Sequence, residues 1–136
     1  MATWMLPAFL AFICWGIWGF IPKITTRYIS PMSAMIYEAI GAVIVGLIVS
    51  ARIGFRPDVH IKGTCLAIAT GIIGLTGALC FLFAVKSGRV TVVAMLTALS
   101  PVITVTLGWL VLKEPLHLKE WLGILSAFAA IFFFTI

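Results

Sequence analysis

The sequence predicts an all-α fold, an integral membrane bundle of five transmembrane helices, and three observations carry that prediction. Of its 136 residues, 63% are hydrophobic and 10% charged, where an ordinary globular domain has roughly 45–50% and about 25%. The mean hydropathy is +1.25. The apolar residues gather into five long runs separated by short basic segments, without the polar–apolar alternation of a membrane β-strand. A water-soluble helical core fails on size, because five helices apolar on nearly every face cannot all be central in so small a domain.

A spanning helix needs about 20 residues, with a range of roughly 17–25. The first run extends from about Met5 to Ile21 and is expected to be broken by Pro22. It reaches spanning length if it starts nearer Ala2 or continues past Pro22. Met1 to Leu6 holds no Lys or Arg, so this run reads as a retained helix rather than a signal peptide. The second run, Met32–Ala51, is opened by Ser30-Pro31. The third is Thr64–Val85 and the fourth Thr91–Leu112. The fifth, Trp121–Ile136, is short, and a start at Leu118 makes it long enough. The loops Lys23–Ser30, Arg52–Lys62, Lys86–Arg89 and Lys113–Glu120 are too short for a further domain, so residues 1–136 are expected to form one.

The net charge of +5 comes from Lys and Arg in those loops, where they flank membrane helices, and it does not form a nucleic-acid patch. With five spans, Arg52, Arg56, Lys62, Lys113 and Lys119 share one side, and Lys23, Arg27, Lys86 and Arg89 the other. The bias slightly favours a cytoplasmic N-terminus. It leaves open both a single fixed orientation and dual insertion of copies in opposite senses. Gly63, Ala67 and Gly71, then Ser100, Thr104 and Gly108, recur at four-residue steps, and Ser126 and Ala130 repeat the step in the fifth run. Small residues so spaced let helices approach closely in lipid, either within one bundle or between two copies.

Glu38 is the first functional candidate. It is an acid within an apolar run, and a charge at such depth faces a protein interior or a wet cavity. It can bind and release a proton, contact a cationic or hydroxylated substrate, or pair with Lys23, Arg27, Lys86 or Arg89 to lock the bundle. Tyr37 precedes it, and Trp15 and Trp18 flank glycines in Trp-Gly-Ile-Trp-Gly. These aromatics line a cavity through cation–π contact or form an interfacial belt. Trp15, the deeper of the two, is expected to face the cavity. Pro22 and Pro101 each remove a backbone donor, and Thr97, Ser100 and Thr104 surround Pro101. Pro22, Lys86, Ser100, Pro101 and Thr104 are candidates for a cavity lining or a hinge. His60 and His117 stand in loops without partner spacing, and Cys14, Cys65 and Cys80 lie in apolar runs as small hydrophobes. No metal-ligand spacing, nucleophile–base arrangement or nucleotide-binding loop is present. Neither an enzyme nor a cofactor is expected.

From Phe83 onward the residues Phe83-Ala84-Val85-Lys86-Ser87-Gly88-Arg89-Val90, Leu99-Ser100-Pro101-Val102, Leu112-Lys113-Glu114-Pro115-Leu116 and Trp121-Leu122-Gly123-Ile124 follow one another. This order resembles the EamA-like half-domain of the drug/metabolite transporter superfamily. Trp-Gly-Ile-Trp-Gly with Pro22-Lys23 resembles the family's first helix, and Ser30-Pro31 the start of its second. The resemblance implies small-molecule transport by alternating access in a cell membrane, without ATP. It also implies a homodimer, possibly antiparallel, since most members carry two such halves and inverted repeats are common among transporters. Glu114 matches the family's helix-end acid, expected in a structural pair with Lys113 or Lys119. Glu38 departs from the pattern, for many members carry a basic or neutral residue there. Glu38-Ala39-Ile40-Gly41 is instead similar to the acid-bearing helix of small multidrug resistance transporters, in which a carboxylate serves proton and cationic drug in turn.

Overall fold

The computed structural model describes residues 3–115 and 117–135, and all its regular structure is helical. The chain divides into two compact units, Met1–Ser87 and Gly88–Ile136.

The N-terminal unit holds α1 (Met5–Tyr28), α2 (Pro31–Arg52) and α3 (Ile61–Ser87). Helix α1 does not break at Pro22 but runs on for six residues, which corrects the expected boundary and turns most of the first loop into helix. The hydroxyl of Thr25 donates to the Ile21 carbonyl at 3.2 Å and that of Thr26 to the Pro22 carbonyl at 2.9 Å. Threonine back-bonding of this kind is common in helices and tends to bend them. Pro22 itself is buried. The helix stops at Ile29, whose extended backbone still lets its amide bond the Thr25 carbonyl at 3.0 Å. Ser30 then caps α2, its hydroxyl accepting from the Ser33 amide at 3.2 Å, with Pro31 in the first turn. A connection this short makes α1 and α2 antiparallel neighbours.

Helix α2 ends in a Schellman motif. The Phe55 amide bonds the Ser50 carbonyl at 2.8 Å and the Gly54 amide the Ala51 carbonyl at 3.2 Å. The motif needs a left-handed residue, which Gly54 supplies at φ +64°. Phe55, at φ +57°, is left-handed too. At the start of α3 the His60 Nδ1 accepts from the Gly63 amide at 3.3 Å, so this loop histidine acts as a helix cap.

The buried side chains of the unit gather at one end. Ala78, Phe81, Leu82 and Val85 form a stripe at helical spacing on α3, and Pro22, Pro31 and Ala34 are buried on the other two helices. Leu82 and Val85 are both fully covered. Trp18 lies against Phe81 with ring centroids 5.3 Å apart, which sets the C-terminal half of α1 beside that of α3. The α3 stripe continues backwards through Gly74 and Gly71, where a Cβ would meet nothing within 4 Å. At those two positions the small-residue face has no described neighbour within that distance in the N-terminal unit.

The C-terminal unit holds α4 (Val90–Thr97), α5 (Ser100–Leu107) with a π-helical turn at Gly108–Leu112, and α6 (Leu118–Thr135). The fourth run is thus two helices, not one. The break falls at Ala98 and Leu99, because Pro101 lacks the amide that would continue the ladder and sits instead in the first turn of α5. The Thr97 hydroxyl donates to the carbonyls of Val93 and Ala94, each at 3.0 Å. After the π turn Lys113 reverses the chain at φ +55°. Helix α6 starts at Leu118, the longer of the two starts considered, and the His117 amide donates to Glu120 Oε2 at 2.7 Å. No residue of this unit is fully buried among those described.

Among the described residues four segments are long and apolar enough to cross a membrane: α1, α2, α3 and Val90–Leu112. The protein is an all-helical membrane protein.

Candidate functional site

In the N-terminal unit the decisive position is Glu38. Pro31, Ala34, Met35 and Glu38 follow at helical spacing, so Glu38 continues the stripe of α2 that carries the buried Pro31 and Ala34. It is half-buried, about 10 Å along the helix from Pro31 at 1.5 Å per residue. Within the N-terminal unit its carboxylate makes no hydrogen bond or ion pair with a described residue, so the bundle-locking pair with Lys23, Arg27 or Lys86 is not formed there. A half-buried carboxylate without a protein partner, in a helix otherwise free of charge up to Arg52, is available to a proton or a cation.

The aromatic candidates separate. Trp18 is packed on Phe81 and remains 40% exposed. Trp15 is 73% exposed and faces outward. Tyr37, about 100° around α2 from Glu38, also faces outward. Lys86 is exposed in the last turn of α3.

Lys23 takes a role that sequence reasoning missed. It lies inside α1, half-buried, and its Nζ donates to the Val85 carbonyl at 2.6 Å. Val85 belongs to the last turn of α3, where carbonyls have no intrahelical partner and the helix dipole favours a cation. The one available signal was that proline is tolerated inside membrane helices, which moves Lys23 from loop to helix.

The C-terminal unit contains a half-open groove of about 520 Å³ between α5 with its π turn and α6. Pro101, Val105 and Ile124 contribute to its apolar walls, and Trp109, Glu114 and Glu120 also line it. Thr104 lines it as well, while Ser100 borders a separate apolar hollow beside Phe128. Glu114 Oε2 lies 3.4 Å from where a Cβ on Gly108 would stand, so the carboxylate rests against the bare backbone of the π turn. Glu114 makes no ion pair with Lys113 or Lys119 among the described residues. The ring of Trp109 meets that of Trp121 edge to face, 6.5 Å apart at 74°.

Comparison with known proteins bears on the whole chain. The sequence pattern of the EamA-like transporter family matches residues 2–136. An uncharacterized protein of Methanocaldococcus jannaschii is 27% identical over 136 residues, which is 100% of this chain and 98% of that protein. No solved structure matches the chain.

Proposed function

The chain belongs to the EamA-like transporter family, and on that premise we propose that it is a secondary active transporter of small metabolites or drugs. It works by alternating access in the cytoplasmic membrane, as a pair of copies, and exchanges a proton at Glu38. The observation that carries this reading is the placement of Glu38: half-buried, on the packed stripe of α2 and without a hydrogen-bonding or ionic partner among the described residues. A carboxylate so placed in lipid is expensive unless it has a use. Trp18 beside the same packed end, with Trp15 and Tyr37 further out, supplies aromatic surface for the solute.

Five crossings, with α6 as the fifth, give an odd count, so two copies of opposite orientation form an inverted pair of the kind common in transporters. The near balance of basic residues between the two sides supports such insertion. The uncovered Gly71 and Gly74 stripe on α3 supports pairing. That stripe equally supports a second reading, a non-transporting subunit that assembles with another membrane protein.

Reconstitution into liposomes decides between them. With an imposed pH gradient, purified protein is expected to drive uptake of its solute, and Glu38→Gln to abolish the gradient-driven component while keeping native helical content. Full gradient-driven activity in Glu38→Gln sinks the proton mechanism. Absence of any transport, with capture of a distinct membrane protein, favours the subunit.

A further inference from the structure

In the N-terminal unit the C-terminal ends of α1 and α3 and the start of α2 carry every buried side chain. The opposite end of the same three helices holds none among the described residues. A polar bond crosses between helices at the closed end, from Lys23 Nζ to the Val85 carbonyl at 2.6 Å. We infer that this bond is a latch: Lys23 holds that end of the unit closed, and the end opens to water when Lys23 lets go of Val85.

The chemistry of the pair suits a latch better than a permanent tie. The bond is short, as charge-assisted bonds are. The Val85 side chain is fully covered, and its carbonyl stands in the last turn of α3, beyond the reach of the helix's own amides. A covered carbonyl without a donor is costly, so the closed packing depends on an ammonium arriving from α1. Lys23 is only half-buried, at the edge of the packed end. On release, ammonium and carbonyl both regain water. Each group is satisfied in either state, which keeps the two states close in energy. A hinge stands directly beside the latch. Pro22 lacks the amide that would bond the Trp18 carbonyl, so α1 misses a rung of its ladder immediately before Lys23. Trp18 packs on Phe81 and keeps the preceding part of α1 on α3, while the last turn and a half can tilt about Pro22. Glu38 lies one turn beyond the buried Ala34 on the same stripe of α2, so opening this end brings water to its carboxylate from this side.

The inference deepens the transport reading by naming the closure that alternates, and rests on that reading only for the claim that the two ends open in turn. Closure and alternation are read separately by labelling the full chain in lipid nanodiscs, where a water-soluble maleimide reaches both faces. Cys14, Cys65 and Cys80 are replaced by serine. One probe is Ala34→Cys, at the closed end. The other is Ala42→Cys, two turns further along the same stripe and exposed. With Lys23 in place, the first should label slowly and the second fast. Lys23→Met should speed labelling of Ala34→Cys at least tenfold, and Lys23→Arg should keep it slow. Lys23→Gln, neutral but still a donor, should fall between them, and it carries the test if Lys23→Met does not fold. Gly54→Ala, which weakens the far end of α2, should leave Ala34→Cys slow, and so separates a latch from a general loss of stability. Slow labelling that persists in Lys23→Met and Lys23→Gln, or equal quickening by Gly54→Ala, overturns the inference. On the transport reading, Lys23→Met should at the same time slow Ala42→Cys. Quickened Ala34→Cys with unchanged Ala42→Cys leaves the latch standing and overturns alternating access. Persistently slow Ala34→Cys with gradient-driven transport intact does the reverse.

Discussion

Lys23 and Glu38 both sit among apolar residues of the N-terminal unit, and their fates differ because their partners differ. The Lys23 ammonium meets the carbonyl of Val85 at the negative end of α3. Lys23→Met keeps the stem's apolar volume but removes that donor. A hydrogen bond to a charged group contributes about 1.5–3 kcal/mol, so Lys23→Met should lower stability by up to that amount, with Lys23→Arg losing less. Thermal unfolding in detergent, followed by circular dichroism, checks both. Glu38 was legible from sequence because an acid inside an apolar run needs no context to stand out. Lys23 was not, since its role depends on a helix continuing past Pro22 and on a carbonyl 62 residues further along the chain. Trp15 was legible as an aromatic beside glycines, but composition does not say which way a side chain turns. The expected pairing of Glu114 with a lysine failed for a local reason: the left-handed turn at Lys113 and the bare Gly108 direct its carboxylate along the π turn.

At the scale of elements, the apolar runs located every helix; α3 runs a few residues beyond its expected bounds at each end, and two irregularities fall at prolines. Pro22 was expected to break the first run, with continuation past it as the alternative, and α1 does continue, with the proline ring buried. Pro101 was expected to interrupt the fourth span, and the break falls just ahead of it, between α4 and α5, within the one span Val90–Leu112. The π turn has no signature in hydropathy, because its residues are as apolar as the helix before it. Termini are more readable. Ser30-Pro31 announces α2, and Gly54 supplies the positive φ its end requires. Gly54→Ala should cost about 1–2 kcal/mol, the penalty of a left-handed conformation with a Cβ, and lower the melting temperature without altering transport. An unchanged melting temperature would mean that this turn is not held in the membrane.

At the scale of the whole molecule, burial is scarce. Among the described residues the fully covered side chains belong to one end of the N-terminal unit, and lipid offers no hydrophobic drive to tighten the rest. Pairing of two copies is expected to supply what the chain does not. Gly74→Leu tests this directly: a Cβ there meets no described atom within 4 Å, so the protomer should fold normally. A partner packed on the stripe would be displaced, and the dimer should give way to monomer by light scattering in mild detergent. A dimer that persists places the contact elsewhere. The one-sided packing of the N-terminal unit has a further, mechanical consequence. Helix α2 has 22 residues and is therefore about 33 Å long. Buried at its Pro31 end and exposed toward Arg52, it is a one-armed lever with Glu38 on the inner part of the arm. A rotation of about 10° at the clamp swings the far tip by about 6 Å, by the same 1.5 Å rise per residue. On the proposed mechanism, a proton taken up at Glu38 acts about a third of the way along that arm, by the same rise per residue, so the far tip moves about three times as far as the carboxylate does.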